Sequence, residues 1–140
     1  MTISTNTIST QHPDAVTYRR AADAFRSRDL ETLAATIHED VIWHVPGSTW
    51  FAREFEGRGM LLAYLGEVME RTNDTFTLED VAVSGCDDHV LAVQRFGATI
   101  DGEQRVFEAT SIMHFADGLQ RERWIHIHDL DGFDEFFGRF

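Results

Sequence analysis

The chain has 140 residues, 43% of them hydrophobic and 11 of them phenylalanine, which suits one domain with a substantial aromatic core. Its 24 acidic and 12 basic residues leave a formal charge of −12, which argues against nucleic acid or an anionic membrane surface as a partner. No apolar run reaches membrane-spanning length, and Cys86, the only cysteine, cannot form an intrachain disulfide or a thiolate metal cluster.

Residues 1–12 carry no helical or strand period and no signal-peptide pattern, so they are expected to be a flexible leader to a single domain over 13–140. A cytoplasmic protein follows. Pro13-Asp14 opens a helix with Ala15, Val16, Tyr18, Ala21, Ala22 and Phe25 at three- and four-residue steps. Ser27-Arg28-Asp29 ends it, and Asp29 caps a second helix from Leu30 to about Ile37. Val41 to Val45 is short, β-branched and aromatic, hence a strand, and Pro46-Gly47 turns it. Residues 48–56 read as irregular or as a brief strand. Gly57-Arg58-Gly59 introduces a third helix, Met60 to Arg71.

From Thr75 to Asp129 the pattern is four strands divided by turns. Phe76–Ser84 leads through Gly85-Cys86-Asp87-Asp88 to His89–Ile100. Asp101-Gly102 and Asp117-Gly118 are hairpin signals that bracket Glu103–Phe115 and start Leu119–His128. Leu130 to Phe140 spaces Phe133, Phe136, Phe137 and Phe140 along one face of a closing helix. This order predicts an α+β domain, in which a curved antiparallel meander is covered by three N-terminal helices. Helices laid on the concave side of a curled sheet leave a cone-shaped pocket, the natural place for a hydrophobic small molecule.

The sequence resembles the nuclear-transport-factor-2-like superfamily (also described as a cystatin-like roll), and within it the SnoaL-like polyketide cyclases and ketosteroid-isomerase-related proteins. Ala24 to Leu30, Val41 to Gly47, Phe55 to Gly59, Asp117-Gly118 and the ending Asp129 to Phe137 carry the resemblance, which spans roughly residues 14–138. It implies the fold, and it implies a cofactor-independent lyase, isomerase or cyclase, although the same superfold also serves plain binding proteins. Matching through the shared anchors puts the isomerase general base at Val45, its oxyanion tyrosine at Ala21 and its protonated aspartate at Ser111. The cyclase acid/base aspartate falls on Ile125. None of these side chains can do the corresponding work, so steroid isomerisation by that route is not expected.

Among groups that can carry chemistry, His44 is the candidate acid/base, with Glu108, Asp129 or Tyr18 as its partner. Arg123, Tyr18, Gln94 and Ser111 are candidates to polarise a substrate oxygen. Trp43, Val45, Trp50, Phe51, Tyr64, Phe96, Phe107, Met113, Ile125 and Ile127 are expected around the pocket. His126 and His128 share a face with His114, but the alternation of Arg123, Ile125 and Ile127 puts the histidines outside, so no metal is expected. No phosphate-cradling loop follows a strand, and no cofactor is expected. Two readings stay open: an enzyme acting on a hydrophobic carbonyl or polycyclic compound, and a non-catalytic binding module. Trp124 on the outer face predicts a homodimer.

Overall fold

The structure, a computed structural model, describes residues 7–139. Helix α1 (Pro13–Arg26) starts where His12 accepts the amide of Asp14 at 3.2 Å, with Pro13 in the first turn. Helix α2 (Leu30–Ala35) is capped by Asp29, whose carboxylate accepts the Thr32 amide and hydroxyl at 3.1 and 2.6 Å. Strands β1 (Ile37–His44) and β2 (Glu54–Glu56) follow, then α3 (Arg58–Arg71). The meander comprises β3 (Thr77–Gly85), β4 (Val90–Ile100), β5 (Glu103–Ala116) and β6 (Leu119–Ile127), and α4 (Leu130–Phe137) closes the chain.

The six strands form one sheet in the order β2-β1-β6-β5-β4-β3. All neighbours are antiparallel except β1 and β6, whose parallel pairing brings the early strand beside the last one. Both Asp-Gly turns place two successive residues at positive φ, 53° and 78° at Asp101-Gly102 and 54° and 76° at Asp117-Gly118. These values match the twist of the long strands they join. Gly97 lets β4 and β5 approach closely, because a Cβ there would stand 2.3 Å from the carbonyl oxygen of Arg105.

Helices α1–α3 and the phenylalanines of α4 cover the inner face. Phe133, Phe136 and Phe137 are completely buried, each burial contributing roughly 1.5–3 kcal/mol. A smaller cluster lies under the first half of α1, where Ala15, Tyr18 and Ala22 meet Val83, Val90, Ala92 and Met113. No described helix is long and apolar enough to cross a membrane.

Local differences from the sequence reading have local causes. The second helix stops at Ala35 because the Thr36 carbonyl is taken by the Gln120 amide at 3.1 Å, which draws Ile37 into the sheet. The first strand is accordingly longer than Val41 to Val45, with an irregularity between Ile37 and Ile42. Of the proposed leader, residues 1–6 lie outside the described residues. Ser9 exchanges two backbone hydrogen bonds with Gly85, and His12 contacts Asp87 at 2.8 Å, so this part of 1–12 is tied to the domain. Phe140, placed in the closing helix by its spacing, also lies outside the described residues.

Candidate functional site

Between the helices and the inner face of the sheet lies a cavity of about 110 Å³. The space is only partly enclosed, so a ligand need not fit within that volume alone. Helix α1 contributes Tyr18, Ala21 and Phe25; α3 contributes Tyr64 and Val68; Phe51 comes from the loop before β2. Strand alternation supplies the floor, with Trp43 from β1, Gln94 and Phe96 from β4, and Arg123, Ile125 and Ile127 from β6.

One end of this apolar space is polar. Arg123 Nε and Nη2 donate to Ser111 Oγ at 3.2 and 3.1 Å, and Nη2 also donates to Gln94 Oε1. The guanidinium carbon lies 4.5 Å from the centroid of the Trp43 ring and 5.5 Å from that of Tyr18. Trp43 is itself fixed, its indole N–H donating to Gln120 Oε1 at 2.7 Å. Gln94 then turns its amide nitrogen toward the Tyr18 hydroxyl oxygen and toward Asp80 Oδ1 at 3.3 Å. Tyr18 donates its proton to that same Oδ1 at 3.1 Å. The network runs Ser111, Arg123, Gln94, Tyr18, Asp80, and reaches the surface at Arg26, whose Nη1 is 3.6 Å from Asp80 Oδ2.

Arg123 is the only charged side chain buried among the described residues, and it forms no ion pair with any of them. Its Nη1 has no hydrogen-bond acceptor among the described residues either. Burial pushes the Tyr18 hydroxyl up to about 12; the Arg123 cation opposes that rise and the Asp80 charge adds to it, so Tyr18 is a protonated donor at neutral pH. Burial also pushes Tyr64 up, and its hydroxyl donates to the carbonyl of Phe51 at 2.9 Å.

His44 does not reach the cavity. The parallel register sets Trp43 beside Arg123 and His44 beside Trp124, and successive residues of a strand point to opposite faces. His44 therefore lies outside, with Nε2 2.7 Å from Glu122, Nδ1 3.8 Å from Glu54, and its ring stacked on Trp124 at 5.4 Å. A role as acid/base on a ligand in the cavity is thereby corrected: Trp43, His44 and Val45 cannot all share one face. His128 is exposed and contacts Thr110 at 2.9 Å, His126 is exposed beside it, and no described cluster could hold a metal.

Tyr18, Trp43, Val45, Phe51, Tyr64, Gln94, Phe96, Ile125 and Ile127 stand in the cavity wall with Arg123. Ser111 lies directly behind the wall, holding Arg123. Three expected wall residues lie elsewhere. Met113 belongs to the small cluster under α1, and Phe107 packs on the α4 phenylalanines. Trp50 donates its indole N–H to the Phe137 carbonyl at 3.1 Å, under the Arg71 guanidinium. Asp80 and Gln120 were missed in the sequence. The alternation Phe76, Leu78, Asp80 points Asp80 inward, but a bulge between Asp80 and Ala82 breaks the phase directly after it.

The SnoaL-like domain model matches residues 18–123. The structure of Bal32a from a soil-derived mobile gene cassette is 30% identical, with a TM-score of 0.84 over 89% of this chain and 95% of that one. A Xanthomonas campestris protein with a cystatin-like fold is 26% identical, with a TM-score of 0.82 over 90% and 98% of the two chains. A nuclear-transport-factor-2-like protein from Burkholderia pseudomallei, at 16% identity and a TM-score of 0.75 over 89% and 97%, shares the fold. No curated protein matches the chain.

Proposed function

The chain belongs to the SnoaL-like domain family, and from that premise we propose that it is an enzyme of the isomerase or cyclase kind acting on a small hydrophobic carbonyl compound in the cavity. The observation that carries this reading is Arg123. A buried charge is costly unless it is paired, yet this guanidinium has no ionic partner and keeps Nη1 unused in an apolar wall. An oxygen that gains negative charge, as a carbonyl does on becoming an enolate, supplies the missing partner and is stabilised most when its charge is greatest. Trp43 and Tyr18 hold the guanidinium between their rings, so its orientation is set before a ligand arrives.

The test is a pair of ligands with the same skeleton, 2-indanone and indane. The ketone is expected to bind at least about tenfold more tightly, as a hydrogen bond to a charged group allows, and Arg123→Met is expected to remove the difference. Equal affinities for the two in the native protein would refute the reading.

One observation favours the second reading, a binding module. The cavity wall contains neither a carboxylate nor an imidazole. A ligand that copurifies tightly and unaltered would support that alternative, and conversion would support the enzyme. For the assembly we propose a homodimer through the outer sheet face, where Ile112 and Trp124 are 44% and 38% exposed and directly opposite in register.

A further inference from the structure

We propose that Tyr18 and Asp80 together are the proton acceptor of this site: Tyr18 takes a proton from the carbon next to the substrate carbonyl while passing its own proton to Asp80. The inference rests on the reading of the cavity given above, and it answers the lack of a base in the wall. Apart from Arg123, only Tyr18 and Tyr64 among the wall residues can titrate, and the partners of their hydroxyls separate them. Tyr64 donates to the Phe51 carbonyl, which cannot keep a proton. Tyr18 donates to a carboxylate.

The surroundings of Tyr18 fit a hydroxyl that gives up its proton as it gains another. Gln94 is held in one orientation, because its Oε1 accepts from Arg123 and Ser111 while its Nε2 points at the Tyr18 oxygen. That nitrogen steadies the phenol oxygen during transfer, and the Arg123 cation beside the ring favours the negative charge. On the far side, Asp80 Oδ2 is buried, and its nearest cation is Arg26 Nη1 at 3.6 Å. Arg26, one-third exposed, balances the Asp80 charge from the solvent side.

The step is closed in atoms and charge. The C–H bond beside the carbonyl breaks, its proton joins the Tyr18 oxygen, and the phenolic proton moves to Asp80 Oδ1. The electron pair left on carbon becomes the enolate, whose oxygen lies on Arg123. Return of the proton to a different carbon isomerises the compound. Attack of the enolate carbon on a second carbonyl of the same molecule closes a ring, and the proton then goes to the new alkoxide. Nothing is oxidised or reduced.

Two measurements test it. The chain contains only two tyrosines, so Tyr64→Phe leaves Tyr18 as the sole phenol for an ultraviolet titration. In that background Asp80→Asn is expected to lower the Tyr18 midpoint and Asp80→Glu to move it back. No movement with Asp80→Asn would overturn the coupling. The second measurement follows deuterium uptake at the α-carbons of 2-indanone in D2O by NMR. The native protein is expected to accelerate uptake, and Asp80→Asn to lose about 100-fold, the size of a general acid–base effect, with ketone binding unchanged and partial recovery in Asp80→Glu. Tyr18→Phe gives an independent answer should Asp80→Asn fail to fold. If the ketone binds in preference to indane but exchanges no faster than in buffer, the relay is overturned and the pocket reading survives. If the ketone does not bind, both fall.

Discussion

Ala21→Leu turns the cavity into a stability measurement. Ala21 is buried in the middle of α1 and lines the cavity. Leucine keeps the helix, since it is among the better helix formers. Its added carbons enter a space of about 110 Å³ and not a packed wall. At about 0.8 kcal/mol per buried CH2, the gain is roughly 2 kcal/mol. For a domain of this length each kcal/mol moves Tm by about 4 °C, so a rise of roughly 6–8 °C is expected by circular dichroism. Binding of 2-indanone should be lost in the same variant. If the interior were solid, the same substitution would overpack it and cost about 1–3 kcal/mol, lowering Tm. The two cases differ in sign, so a fall in Tm would refute the cavity and every statement about chemistry that depends on it.

His44→Ala should leave 2-indanone affinity within about twofold, since the ring lies on the outer face with Glu122 and Trp124; isothermal titration with a tenfold loss would contradict that placement. Stability should fall at alkaline pH. Burial raises the phenols of the folded chain, Tyr18 to about 12, above the 10.0 of the free group, so the folded form holds its protons longer. The stability present below pH 10 is lost as pH climbs from about 10 to 12, with Tyr18 alone contributing about 2–3 kcal/mol, and Tyr18→Phe should lessen the fall of the urea midpoint with pH, leaving the share due to Tyr64. Trp124→Glu, which sets a charge in the exposed row of the outer face, should yield a monomer by sedimentation while retaining the ketone site; an unchanged mass would place any assembly elsewhere.

The architecture was legible because each element carries its own local signal. Pro13 and Asp29 mark helix starts by chemistry that acts within three residues, and the two Asp-Gly pairs fix hairpins, the first of which keeps an unbroken register along β4 and β5. The face assignment of β6 followed from alternation, which sets Arg123, Ile125 and Ile127 against Trp124, His126 and His128. The site was less legible because it is assembled across the sheet. Tyr18 and Asp80 are 62 residues apart, and Gln94 and Arg123 29 apart, so no local pattern joins them. His44 shows the opposite error. A histidine between a tryptophan and a valine attracts attention as a titratable group, but a strand that turns Trp43 and Val45 inward must turn His44 out.

The polar network lies at one end of a wall that is otherwise apolar. Ala21, Val45 and Ile125 all line the cavity, and each is an apolar side chain. An unpaired cation in such a wall destabilises the fold. Arg123 is nevertheless held there, fixed by Ser111 and Gln94 and set against two aromatic rings, with Tyr18 and Asp80 further along the same network. A structural role would be served better by pairing the guanidinium directly with Asp80. The intervening amide of Gln94 keeps the two charges apart, leaving Arg123 to meet an oxygen and Asp80, balanced by Arg26, to receive a proton. Gln94→Glu collapses that separation by placing a carboxylate on Arg123. It should therefore abolish the preference for 2-indanone over indane while leaving the protein folded, whereas a preference that survives the substitution would mean that Arg123 does not meet the ligand oxygen at all.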